Sequence, residues 1–499
     1  MAKSLLILIL AAFLTILGKP QSSFQVTFSS PLNEYFGSMI EDGAGNFLAV
    51  GEQRSYNQFD TSKGIIWKMT HNGDTLTKTF TFGDSASAFN HIFINNAGSY
   101  TIIGGLSIPP DYNTSCLLIL NLDSNLNVID KHIIKSSLYK GFNFSRIIRS
   151  NTALYGLGTA KDLNDIINPS IVKLNNAFEI VDIKTYPFYN GTGLFLGEFR
   201  DAIFSPDSNQ IWTFSELFTP DDLSTCDMMI VDTSLNFVSI KPIPSGVYPH
   251  FGDFFGTVTA KRVTDTTFLV AGSYWHQYYP SASQRDIGFI EYDSTLTPTP
   301  LHTMGVIDTV DYGGFNKTFD FVNSDSIYYT GTKRFASGFF PQQVSWIYAG
   351  IFNRDYELYY EKFYGGDAHY WVYSILRTSD GGSLISALRY DYHTQNNERD
   401  VFFLKLTPEG LITGKRENQQ CPYLPFAIYP NPGAGILHLD MVLREAQFTL
   451  FNMNGIQLKN SLIQEGENQI DCCSLSPGCY IVRVTLPGGE IFTKKWIKQ

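Results

Sequence analysis

The stretch YGGDAHYWVYSILRTSDGGSLISALRYDYHTQNNERDVFFLKLTPEGLITG, residues 364–414, decides how the whole chain is read. Three apolar runs lie in it, rich in aromatic and β-branched residues, and polar breaks part them. TSDGG at 378–382 and TPEG at 407–410 are short enough for tight turns. Their Gly, Asp, Ser and Thr tolerate positive φ or bond their own backbone. Short apolar runs between such turns read as antiparallel strands.

The same pattern recurs six times upstream. Second-strand signals are FLAVG at 47–51, TIIG at 101–104, LYGLG at 154–158, IWTFS at 211–215, FLVAG at 268–272, IYYTG at 327–331 and LISAL at 384–388. Their last positions fall 53 to 59 residues apart. Third-strand signals follow each of them, from IIWKM at 65–69 to VFFLKL at 401–406. A lone four-stranded sheet of this size cannot bury both its faces, so seven in series predict a seven-bladed β-propeller. Tandem sandwiches would need about 100 residues each. Composition agrees: 39 Phe, 28 Tyr and 41 Gly with only 17% charged residues favour strands and turns. FQVTFSS at 24–30 resembles KTFTFG at 78–83, a fourth strand, so the N-terminal strand is expected to pair with unit seven, beside or instead of LITGKRE at 411–417. The last unit resembles the repeats of secreted bacterial propellers, a likeness of architecture that implies no particular chemistry.

Residues 1–21 read as a secretory signal peptide. Lys3 precedes an apolar run from Leu5 to Leu17, and small or polar residues follow from Gly18 to Ser23. That run is shorter than the roughly 20 residues that span a bilayer, so the protein is not expected to be integral to a membrane. The body, residues 22–418, carries the excess of acid in a chain of net charge −11. An acidic body disfavours nucleic acid and anionic membrane as partners. In an exported protein the six cysteines read as disulfide partners before metal ligands. No cysteine or histidine spacing suits a metal, and no cofactor is implied.

Residues 419–428 form a linker, and the chain restarts at 429 with YPNP and alternating apolar and polar residues, as a small β-sandwich would. This tail, 429–499, resembles the type A C-terminal sorting domain of the bacterial type IX secretion system. Tyr429, Pro430, Asn431 and Pro432 match its opening motif. Leu450 to Gly455 match its strand and turn, and Gly478 and Tyr480 stand in its final hairpin. Cys472, Cys473 and Cys479 depart from the pattern. The resemblance implies export, the type IX machinery as a partner, and a secreted or cell-surface destination.

Loops between strands two and three, and between units, form the longer and more aromatic set. Loops carry function on rigid scaffolds, and flat aromatics with polar neighbours suit sugar rings or peptide side chains. The ligand-binding candidates are Trp275, His276, Tyr278, Tyr279, His369, Tyr370, Trp371, Tyr392 and His393. Asp286 and Asp400 precede third strands and read as turn caps. DSNLN at 123–127 lacks the glycine and glutamate of a calcium loop. No catalytic motif appears. Two readings stay open: a module that binds glycan or protein, and an enzyme that cleaves polysaccharide or peptide on the same face. A pair of carboxylates at the loop-rich mouth would favour the enzyme.

Overall fold

The structure, a computed structural model, describes residues 22–499 apart from 57, 96–97, 110–114, 187–194, 219–223, 244–257, 276–284, 306–308, 395–396, 413–425, 454 and 487–490. The expected signal peptide and most of the linker lie outside these residues. Apart from a short 3-10 helix at Phe59–Thr61, the regular elements are strands.

The body contains seven antiparallel sheets in sequence order. Each of the first five holds four consecutive strands. In the sixth, Asp311–Gly313 and Phe319–Asp320 both pair with Ile327–Lys333, so its first strand is split. The seventh takes three strands from the C-terminal end of the body, His369–Arg377, Ser383–Tyr390 and Asp400–Leu406. Its fourth is Phe24–Phe28, which runs antiparallel to Asp400–Leu406 from Phe24 opposite Lys405 to Phe28 opposite Val401. The N-terminal strand therefore stands where LITGKRE would otherwise have continued the sheet.

Alternation along each strand sends side chains to opposite faces, and both faces are covered. In the first sheet Phe47, Ala49, Ile65 and Trp67 pack against Leu384, Val401 and Phe403 of the seventh. Leu48, Val50 and Ile66 face the other way, onto Phe89, Ile102 and Leu118 of the second. Each further core is likewise shared by two consecutive sheets. This explains why the strands read as continuous apolar runs rather than as half-buried alternation.

The recurrent glycine that ends the second-strand signals has a local cause. A β-bulge interrupts the first strand of several units, at Phe36/Ser38, Phe89/His91 and Phe144/Arg146. There the first-strand carbonyl crowds the second strand. A Cβ at Gly51 would lie 2.0 Å from the Tyr35 carbonyl oxygen, and one at Gly104 would lie 1.9 Å from that of Ala88. The bulges also bring distant units together. Asn316 Nδ2 donates to the Gly37 carbonyl at 2.8 Å, and the Arg146 guanidinium donates to the Asn316 carbonyl.

The C-terminal domain is one sheet of five strands around a core of Leu437, Leu439, Phe448, Leu450, Val482, Val484 and Trp496. Its opening motif is tied to its last strand. Asn431 donates to the Lys495 carbonyl at 2.8 Å and accepts from the Ile497 amide at 2.9 Å. Trp496 Nε1 donates to the Pro430 carbonyl at 3.0 Å. Gly455 closes a turn with φ of 77°, a conformation that suits glycine. Tyr429 stacks on His438 at 5.2 Å, and Tyr480 is buried. Cys472 is buried in this core and Cys473 is exposed. These two, Cys479, Cys116 and Cys226 form no disulfide with one another, and the sixth cysteine, Cys421, lies outside the described residues.

Candidate functional site

The strand His369–Arg377 enters from the loop-rich face. Alternation places His369, Trp371 and Tyr373 on one side of it. Phe335, from the loop after Ile327–Lys333, lies 6.2 Å from the His369 ring and 5.5 Å from Trp371. Phe315 lies 5.5 Å from Trp371 and 5.3 Å from Tyr373. Within this aromatic wall His369 is only 3% exposed, and neither ring nitrogen makes a hydrogen bond of good geometry with a described residue. Trp371 Nε1 is likewise buried and unpartnered. Burial lowers the His369 pKa to about 4, against an opposing pull from the Gln343 backbone, so the imidazole is neutral at pH 7.

A second wall joins the first sheet to the seventh. The Arg399 guanidinium lies over Tyr35 and over Phe339, 4.8 Å from each ring centre. The Arg54 guanidinium covers Tyr35 at 4.2 Å and Phe59 at 4.0 Å, and pairs with Glu52 at 3.2 Å. Arg399 is 3% exposed, and its Nε and Nη2 have no partner among the described residues; nor has the Tyr35 hydroxyl. Glu34 is buried beside them and its Oε2 is unpartnered. Burial raises the Glu34 pKa to about 8, a hydrogen bond from Ser30 works against the rise, and the Asp400 carboxylate adds to it. Asp400 is itself raised, chiefly by burial.

Tyr373 links the two walls. Its ring lies 5.7 Å from Trp371. Burial raises its hydroxyl pKa to about 12, while Arg399 pulls it down and Tyr35 and Glu52 push it up. Donors without partners in buried surroundings are costly, of order 1–3 kcal/mol each.

Three of the sequence candidates change place. GGDAHYWVY is largely strand, so His369, Tyr370 and Trp371 stand on a rigid element and not on a loop. Tyr370 turns away from the other two: its hydroxyl donates to Asp367 at 2.7 Å and accepts from Arg389, so it packs the seventh sheet. Tyr392 is half-buried and His393 exposed. Their rings lie 4.1 Å apart, and neither contacts the two walls. Trp275 ends the strand Thr267–Trp275 opposite Arg285, and His276, Tyr278 and Tyr279 lie outside the described residues. Asp286 and Asp400 sit within strands, paired in register with Tyr274 and Arg389. Sequence reading missed Tyr35, Arg54 and Arg399. The signal for them was faint: an arginine or tyrosine beside the expected joint of the first and last units.

Residues 427–499 match the family described as "Secretion system C-terminal sorting domain". The protein is therefore a β-rich secreted or cell-surface protein with a type IX sorting tail, whose tail implies contact with that secretion machinery. Among the described residues no helix is long and apolar enough to cross a membrane. No curated protein matches the chain. Among solved structures, the polysaccharide lyase Uly1 is 8% identical with a TM-score of 0.43, over 78% of this chain and 100% of its own. Bacillus subtilis levansucrase is 8% identical with a TM-score of 0.34, over 57% and 88%. Kuenenia stuttgartiensis hydrazine synthase is 9% identical with a TM-score of 0.34, over 74% and 93%. These likenesses are too low to bear on the chemistry of this chain.

Proposed function

We propose that residues 22–418 form a closed seven-bladed β-propeller that the tail delivers to the cell exterior, and that its loop-rich face binds and cleaves a polysaccharide. Closure is supported by the seven shared cores and by the N-terminal strand in the seventh sheet. Cleavage is favoured over mere binding by one observation: the mouth holds titratable groups whose surroundings push them toward opposite roles. His369 is kept neutral and free to accept a proton, while Glu34 keeps its proton at pH 7 and can donate it. Such separation is how acid and base are assigned at a catalytic site. Asp400, whose charge adds to the rise of the Glu34 pKa, is the second carboxylate we assign to this reading. The Arg399 guanidinium, with two N–H groups unmatched, would hold negative charge that develops on the substrate. Trp371, half-buried, would offer ring area to a sugar face.

The test is direct. The purified full chain is incubated with a panel of polysaccharides, and new reducing ends and the ultraviolet absorbance of unsaturated sugars are followed, which separates hydrolysis from elimination. Activity that falls in His369→Ala and Glu34→Gln supports the proposal. Tight binding of a glycan with no new ends would return the protein to the class of binding modules.

A further inference from the structure

A cavity opens on the same face, between the first three sheets, away from His369 and Trp371. Its volume is about 360 Å³. Asn90, His91, Asn143, Ser115, Phe142 and Glu52 are among the residues that line it. Glu52 is the register partner of Tyr35 and the ion-pair partner of Arg54, so this cavity adjoins the second wall of the mouth. His91 is 92% buried by its 8% exposure, and its Nε2 has no partner among the described residues. Asn90, the bulged residue of its strand, has its amide held by the Phe144 carbonyl at 2.8 Å, which leaves its own carbonyl to face the space.

We propose that this cavity is a subsite for one uncharged sugar unit of the chain that the mouth engages. Neutral imidazole, amide and hydroxyl groups each offer both a donor and an acceptor, or one of each among neighbours, as sugar hydroxyls do. Phe142 supplies an apolar surface for a ring face. An anion would meet the Glu52 carboxylate in the lining, and the nearby cation, Arg146, is paired with Asp201 at 3.0 Å and bonded to Asn316. The volume suits a single pyranose at the lower end of small-molecule sites. His91 is driven well below the ordinary histidine range, to about 3, by burial and then by Arg146, so its imidazole stays neutral across physiological pH.

This assignment rests on the reading of the face as a carbohydrate site. The full chain is titrated by calorimetry with short neutral glucan, xylan and mannan oligosaccharides and with a uronate oligosaccharide. The titrations are repeated with His91→Ala, His91→Gln and the space-filling Ser115→Phe. Retained melting temperature certifies each variant. A neutral oligosaccharide should bind, and His91→Ala and Ser115→Phe should each weaken it roughly tenfold or more, with partial recovery in His91→Gln. Unchanged affinity in both folded variants would overturn the subsite, as would binding of the uronate oligosaccharide alone. Should cleavage persist with the subsite variants binding normally, the subsite fails and the enzyme stands. Should neutral sugars bind in a His91-dependent way with no cleavage of any polysaccharide, the enzyme fails and the subsite stands.

Discussion

The two faces of the body treat polar groups in opposite ways. On one, the turn that follows the third strand is built seven times on the same plan. Its first residue is Thr70, Asp123, Asn175, Asp232, Asp293, Asn353 or Thr407, and the side-chain oxygen accepts the amide four residues on. The fourth residue has positive φ, from 61° at Phe178 to 85° at Gly73. Leu126 and Leu235 pay that left-handed strain while their side chains are fully buried. On the other face Arg399 and His369 are buried, Tyr35 and Trp371 are half-buried, and each has a buried polar atom with no partner among the described residues. A face whose polar groups are satisfied needs nothing from outside to be stable. A face that keeps several unsatisfied carries a cost that folding alone does not explain, and a ligand would offset it.

The clasp between the faces gives the largest expected effect. Deleting residues 22–30 removes Phe24, Val26 and Phe28 from the core shared by the first and seventh sheets and bares the edge of Asp400–Leu406. Each phenylalanine is worth about 3–5 kcal/mol when deeply packed, so the loss should exceed about 5 kcal/mol. Chemical denaturation against the full chain reads it. An unchanged midpoint would mean that the two end sheets hold together without the strand.

On the unsatisfied face, His369→Ala should cut turnover of the polysaccharide found in the panel by about 10²–10⁴. Melting temperature should change little or rise, since a buried group without partners disappears. A large fall in stability with turnover intact would make His369 a packing residue. Trp371→Ala comes next. The side chain is half-buried among Phe315, Phe335 and Tyr373, so both stability and glycan affinity should fall, each by about 1–3 kcal/mol. A fall in stability alone would remove it from the site.

Glu34 sharpens the contrast through pH. Its folded pKa is raised from 4.5 to about 8, so the native state favours the protonated form. The stability tied to that proton is fully present below about 4.5 and is lost as pH rises through 8. Glu34→Gln, which cannot ionise, should therefore melt higher than the parent at pH 9 and nearly level with it at pH 4. Parallel melting curves across that range would show that Glu34 titrates as an ordinary carboxylate.

The same comparison explains what could be read in the sequence. Repeat, strand runs and turns were legible because each depends on residues close in the chain: Asp123 with Asn127, Gly51 with the bulge opposite it. The sorting tail was legible because its motif is local. The mouth was not. Tyr35 and Arg399 meet only after the last sheet packs on the first, and no pattern within one repeat carries that contact. His369 and Trp371 were chosen for aromatic density in a presumed loop. They stand instead on a strand, His369–Arg377, that begins within that presumed loop. Tyr370, chosen for the same reason, was turned by alternation to the other side.

The smallest effect tests the satisfied face by its own internal control. Asn175 and Asn353 fill the first turn position in the third and sixth units. Their carbonyl oxygens accept amides at 2.9–3.0 Å, as the Asp232 carboxylate does from Ser234 and Asn236 at 2.9 and 2.8 Å. Asp232→Asn should therefore leave stability at neutral pH almost unchanged, whereas Asp232→Ala should cost more because two amides lose their acceptor. The aspartate differs from asparagine in one respect. Its pKa lies below 3.8, held down by bonds from Asn236 that outweigh burial, so its stabilisation is present above about 3.8 and fades as pH falls through the folded value. The asparagine variant should lose that part of the acid sensitivity and no other. A clear destabilisation of Asp232→Asn at pH 7 would mean that the charge, beyond the acceptor geometry, holds this turn, and that the seven turns are less alike in energy than in shape.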